Sequence, residues 1–547
     1  MKNIFFIIFL FFFSIIYSQD QPYIYGNFES DSQLLQDDES IGFIAPEDNF
    51  RSNNYFQINY QTNNILASIQ YEGYLPSSVL GYYPEVDNQN KITNYFIKVQ
   101  NQKSDITVGS FYDQFGNGLI FRSWEDRQLG INNAIKGVKL KYYPSDDIEL
   151  TALYGQQRDG FNYTASTIQG LNADISLNQI LNLKEIDLSI GASLVNRYQQ
   201  DGSNAYIPSN VSAYGGRVNM YAGDFSLNIE GAIKDPDVIA NENVVVSNRQ
   251  YDGTALQIDF GYSKKGIGIN TTFRRLENFN FYSDRLAEGN IYNQKTLSFT
   301  PALTKQQEYL LTNVYIYNAQ PRLVMNDSEK RSGEVGFQND FYYTFNKDDF
   351  LGKYKTKIAF NFSYWSSIES TFNQDNSYDV KFIGNGDRYY RDFNLEIKNR
   401  WNSKLRTAIT FLDVIIDQGI VLGGPLGVRE DIKAKVGVID VSYLHANGKS
   451  SRGVLQHLWT KNDRKNWLGF LYEYGISSSI DVFVSDGWNY GRSDKIHYYN
   501  LGGSYSKNST RVSLNYGRQK GQHICVGGVC RYVPESNGFN LSLSRSF

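Results

Sequence analysis

Cysteine is nearly absent from this chain: two residues in 547, alongside three methionines, four histidines and eleven prolines. Charge of one sign is missing too, because 53 basic and 57 acidic residues leave a formal net charge of −4. That balance speaks against a nucleic-acid partner, which calls for a basic face. His445, His457, His497 and His523 stand apart, with no spacing that joins two imidazoles and a carboxylate, so no metal site is expected. Gly-rich phosphate loops, nucleophile elbows and calcium loops are also missing. No catalytic residue and no cofactor is therefore expected, and the chain is read as a non-enzyme. Beyond the first 18 residues there is no long apolar run, and the mean hydropathy is −0.45. Helical membrane spans are excluded on that ground.

The one apolar run stands at the start. Lys2 precedes Ile4 to Phe13, and a polar stretch opens at Gln19 and Asp20. Residues 1–18 read as a secretory signal peptide and 19–547 as one domain. Aromatics are abundant, with 42 Tyr, 35 Phe and 6 Trp, and Tyr suits a bilayer interface, where the ring is apolar and the hydroxyl wet.

A period of two runs through almost the whole chain. Phe225, Leu227, Ile229, Gly231 and Ile233 share one face against Ser226, Asn228 and Glu230 on the other; over 354–364, Tyr354, Thr356, Ile358, Phe360, Phe362 and Tyr364 repeat the pattern against Lys355, Lys357, Asn361 and Ser363. Such alternation marks strands with one apolar face and one wet face. The connections decide between a soluble sandwich and a membrane barrel. Tight turns at Thr62-Asn63, Gly223-Asp224, Lys264-Lys265, Asn402-Ser403 and Lys507-Asn508-Ser509 take turns with long segments at 198–211, 235–253, 277–293, 366–388 and 518–538. One trimmed rim and one untrimmed rim are expected of a single large antiparallel transmembrane β-barrel with both termini periplasmic and long extracellular loops. Keeping the parity puts a first strand near Tyr23 to Phe28, makes 29–52 an outer loop, and predicts about 26 strands, within an even range of roughly 22 to 26. The final strand carries Phe539, Leu541, Leu543 and Phe547 on one face and ends on an aromatic, the form of a barrel-closing strand. An integral outer-membrane location follows, with lipid and lipopolysaccharide as the surroundings and the barrel-assembly machinery as the partner during insertion.

Two stretches stand apart from the wall. In Cys525-Val526-Gly527-Gly528-Val529-Cys530, a Gly-Gly turn sets the two cysteines opposite each other, within disulfide reach at about 4.5–5.5 Å between Cα atoms. A disulfide is expected there, with a metal or reactive thiol as the alternative and His523 as its one further ligand. Residues 109–133 alternate poorly and carry glycines and charges, so Phe115, Gly116, Gly118, Arg122 and Arg127 form a candidate lumen constriction, against the alternative of an ordinary outer loop. Glu125-Asp126-Arg127 and Glu329-Lys330-Arg331 read as mutual neutralisation. The wet strand faces mix both signs, including Lys139, Glu230, Asp259 and Arg511, where a dedicated ion channel would be biased to one.

Gln114-Phe115-Gly116-Asn117-Gly118-Leu119, Trp124-Glu125-Asp126-Arg127 and Cys525 to Pro534 together resemble an outer-membrane barrel family of unknown function from bacteria that use type IX secretion. The resemblance runs over essentially the whole mature chain. It implies a non-enzymatic accessory or structural subunit of the type IX translocon, with other outer-membrane translocon proteins as partners, and supplies no catalytic residues. A nutrient or small-solute transport pore is the alternative.

Overall fold

A computed structural model describes residues 22–82, 84–200, 206–241, 244–326, 329–422 and 430–547. The expected leader, residues 1–18, lies outside the described residues. The described chain folds into a ring of 24 antiparallel strands, each paired with its sequence neighbour in the wall, and the first strand, Tyr23–Leu35, pairs with the last, Ser536–Ser546. Closure leaves the wall no open sheet edge, which a bilayer core demands.

The alternation orients the wall. In Phe225–Asn241, Phe225, Ile229 and Ile233 are 51%, 36% and 58% exposed, whereas Glu230 between them is 3% exposed. Apolar residues outside and charges inside invert a water-soluble core, and lipid is the solvent that stabilises that arrangement. The chain is thus an outer-membrane-type β-barrel. Phe539, Leu541 and Phe547 are exposed on the same outer face.

The seam is closed by the terminal residue itself. Gly26 N–H donates to the Phe547 carbonyl at 2.9 Å and receives the reciprocal bond at 3.0 Å. The Phe547 ring stacks on Phe56 at 6.0 Å, and a Cβ on Gly26 would stand 2.7 Å from it. Glycine at 26 makes the notch that the ring occupies.

On the rim bearing both termini the connections are mostly tight, such as 223–224, 265–266 and 508–509, with 177–185 and 345–356 as exceptions. The opposite rim carries the long segments, and several differ from expectation. The first strand runs on to Leu35, so the connection after it is 36–49 rather than 29–52; outward Ser30 and Ser32 hide the alternation there. Within the segments expected as loops, residues 235–241, 244–253, 366–372 and 378–388 are strand. Phe225–Asn241 pairs with Val244–Lys264, and Lys357–Phe372 with Tyr378–Arg400, as two ribbons standing above the wall. Arg249 meets Asp375 at 3.1 Å and the Tyr251 ring stacks on Tyr378 at 6.1 Å, tying one ribbon to the other. The strand pair that would raise 24 to 26 is absent around 294–316, where the chain leaves the wall and crosses the lumen.

Candidate functional site

Three segments from the rim opposite the termini fold inward. In 112–134, Phe115, Leu119, Ile120 and Phe121 bury against Leu153, Ile168 and Val195 of the inner wall. In 278–332, Phe279, Phe281 and Leu297 join that cluster, while Leu311, Tyr315 and Tyr317 pack on Trp365, Leu412, Val436 and Leu458 across the barrel. The two segments are laced together: Arg122 N–H donates to the Leu297 carbonyl and Phe299 N–H to that of Gly118, each at 2.8 Å.

The third segment, 520–535, contains a hairpin of Gln522–Val526 and Val529–Val533, with Cys525 opposite Cys530 and the two joined by a disulfide. Gly527 and Gly528 hold φ of +55° and +83°, the left-handed turn that glycine adopts without strain. The hairpin lies on the other segments rather than outside. Val529 packs on Leu129 and Ile131, Gly528 accepts from Ala302 N–H at 2.8 Å, and Arg531 Nη1 donates to the Leu129 carbonyl at 2.8 Å.

The five residues singled out at 109–133 take different positions. Phe115 is 1% exposed within the filling. Gly116 (φ +54°) abuts the Glu230 carboxylate, where a Cβ would stand 2.6 Å from Oε2, and the same oxygen accepts Asn117 N–H at 2.6 Å. Gly118 has φ +88°. Arg122 lies over the Phe299 ring at 3.8 Å. Arg127 alone borders open lumen: it donates to Glu29 at 2.5 Å and Glu125 at 3.3 Å and covers the Tyr55 ring at 4.1 Å. Burial opposes its charge, but the Glu125 and Glu29 carboxylates outweigh that and hold its pKa above the ordinary guanidinium value. Glu329 pairs with Arg331 at 2.6 Å.

Buried ion pairs brace the inner wall. Arg158 donates to both oxygens of Glu72 at 2.7 and 2.6 Å, and Glu72 also receives Thr93 and Tyr74 hydroxyls. Arg274 reaches Glu334 at 2.8 Å, whose other oxygen takes Tyr317 Oη–H at 2.5 Å and Gln320 N–H at 2.6 Å. Periodicity finds none of these pairs, since their partners lie far apart in sequence. The signal for the lumen crossing is the aromatic run Tyr309 to Tyr317, rich in rings without the strand period.

The filling is uneven. Beside the seam it leaves a cavity of about 680 Å³ between the hairpin and the first and last strands, bordered by Asp31, Arg51, Arg127 and Ile524. A second, of about 600 Å³, lies among Arg452, Asp481 and Arg511 of the wall. Both are bordered by Ser513 and Asn515 of strand Thr510–Gln519, so the two spaces adjoin the same strand. Arg452 there is held by Asp440 at 2.8 Å and Glu473 at 3.1 Å.

The chain is similar to several solved barrels. The siderophore receptor PirA from Pseudomonas aeruginosa shares 8% identity over 97% of this chain and 81% of that one, at a TM-score of 0.39. OccAB3 from Acinetobacter baumannii shares 10% over 97% and 99%, at 0.36. The P pilus usher PapC translocation pore shares 9% over 96% and 99%, at 0.38. At these scores none carries an argument about activity. No curated protein matches the sequence. A family model described as a family of unknown function, DUF6029, matches residues 1–547.

Proposed function

The chain belongs to this family of unknown function, DUF6029, and from that premise we propose that it is a non-enzymatic outer-membrane transport barrel that passes small polar solutes along its seam. The supporting observation is the pair of cavities of about 680 and 600 Å³ that share Ser513 and Asn515 as a border. Their size falls within the roughly 300–1,000 Å³ of small-molecule sites. Elsewhere the folded-in loops pack on the inner wall, and in this reading flux runs along the seam side of the lumen. In this reading the rim of the termini faces the periplasm and the rim of the inward loops faces outside. Lipid and lipopolysaccharide surround the apolar belt, and the barrel-assembly machinery inserts it. Reconstitution in planar bilayers tests the proposal. Wild-type protein should give a small, steady conductance that Asn515→Trp reduces; silence from protein that is folded by its heat-modifiable gel shift refutes it.

A second reading, an accessory subunit of a type IX protein-export translocon, draws on the sequence resemblance and on the two ribbons. Their upper parts carry exposed apolar residues, Val244 at 62%, Phe382 at 65% and Ile383 at 87%, a surface of the kind that partners cover. Co-purification of a translocon component from native outer membranes, lost on Phe382→Asp with Ile383→Asp, supports it. Full cargo secretion in a deletion strain rejects it.

A further inference from the structure

Of the nine charged groups bordering the two seam cavities, five have a partner. Glu29 has Arg127, Glu535 accepts Tyr498 Oη–H at 2.6 Å, and Arg452 has Asp440 and Glu473. Two groups in each cavity do not. Asp31 and Arg51 border the first, Asp481 and Arg511 the second, and among the described residues none of the four makes an ion pair or a side-chain hydrogen bond. Arg51 Nε is moreover buried and without a partner. An unpaired buried donor is costly, and a carboxylate entering the cavity would satisfy it.

The register places the members of the first pair close together. Asp31 stands opposite Asn53, and Gln33 opposite Arg51, so the two sit one diagonal step apart on the inner face of adjacent strands. That separation is about 7–8 Å between Cα atoms, yet the two groups do not bridge. In the second cavity Asp481 faces Ser504 and Ser504 faces Ser513, which places Asp481 two strands from Arg511, again on one inner face. Each cavity therefore offers one free carboxylate and one free guanidinium a molecular length apart, with Ser513 and Asn515 between the two sets.

We infer that the seam passage selects zwitterions of short-peptide size, the ligand's ammonium meeting Asp31 and then Asp481, and its carboxylate meeting Arg51 and then Arg511. A guanidinium suits a carboxylate by its paired donors, and Phe43, Ile44, Leu80 and Ile524 give apolar room for side chains in the first cavity. The inference rests on the transport reading, and the experiment separates the two. Proteoliposome uptake is measured for triglycine, for N-acetyl-triglycinamide and for the neutral sugar arabinose. Charge-assisted hydrogen bonds contribute about 1.5–3 kcal/mol each, so triglycine should enter about 10- to 100-fold faster than its blocked form. Asp31→Asn and Arg51→Gln should each bring triglycine down toward the blocked peptide's rate. Equal entry of all three probes, all slowed by Asn515→Trp, overturns the zwitterion inference and leaves the passage standing. Entry of none, from protein with the normal heat-modifiable shift, overturns both.

Discussion

Lys520, at the foot of the inward hairpin, gives a test of how that segment is held. Its side chain is 4% exposed, its Nζ has no hydrogen-bond partner, and it stands 5.3 Å from the Trp467 ring. Burial, reinforced by the Arg464 charge and opposed by Glu535, lowers its pKa from 10.5 to about 7. His523 nearby is lowered as well, by burial and then Arg464. A lysine with a depressed folded pKa works against folding. Below pH 7 the amine is charged in both states and the full penalty of enclosing it applies. Between pH 7 and 10.5 only the unfolded chain keeps the proton, so stability climbs as pH rises, and above 10.5 the penalty is gone. At 1.36 kcal/mol per unit the gap amounts to about 4–5 kcal/mol. Lys520→Met, which keeps the length and removes the charge, should thus stabilise the protein by up to about 4 kcal/mol at pH 6, with a gain that shrinks through pH 7 to 10.5. Urea unfolding from vesicles followed by tryptophan fluorescence measures it. A difference that does not change with pH, or a loss of stability at pH 6, refutes the reasoning.

Other outcomes follow from the wall and its braces. Leu514→Arg puts a charge on the lipid face and should cost about 2–4 kcal/mol, whereas Asn515→Arg one residue on faces the lumen and should cost far less by the same urea assay. Glu72→Gln leaves Arg158 enclosed without its counter-charge and should cost about 3–5 kcal/mol, visible as a lowered temperature of the heat-modifiable gel shift. Phe547→Ala empties the Gly26 notch and should lower that temperature too, by the equivalent of roughly 1.5–3 kcal/mol; an unchanged shift would remove the terminal ring from the account of closure. Cys525→Ser with Cys530→Ser should loosen the hairpin by roughly 2 kcal/mol, read as faster hydrogen exchange confined to 522–533.

The wall was legible because a strand with lipid on one side and lumen on the other repeats every second residue, and residues 225–233 and 539–547 show that repeat undisturbed. The disulfide was legible because a Gly-Gly turn fixes which residues face each other. Ser30, Ser32 and Asn54 obscured the upper part of the first two strands, since polar residues on the lipid face break the pattern and are satisfied instead by each other, as where Ser30 Oγ–H donates to Asn54 at 2.7 Å. The lumen crossing, residues 278–326 and 329–332, lacks a sustained strand period, because its side chains pack on inner-wall residues far away in sequence, and only the folded ring brings Leu311 to Leu458 or Tyr317 to Trp365. The unpaired charges were individually visible, but that Asp31 and Arg51 lack partners depends on register and on where Arg127 goes.

The hairpin at 522–533 rests on chain made some 400 residues earlier, with Arg531 bound to the carbonyl of Leu129, and the strand that follows it is the one that shuts the ring. One order of assembly satisfies these contacts while the sheet still gapes: the early segments enter first, the last loop is lowered onto them, and the two margins then meet. Along that route, an insertase that released the sheet too soon would leave the hairpin stranded outside a sealed and half-empty cylinder.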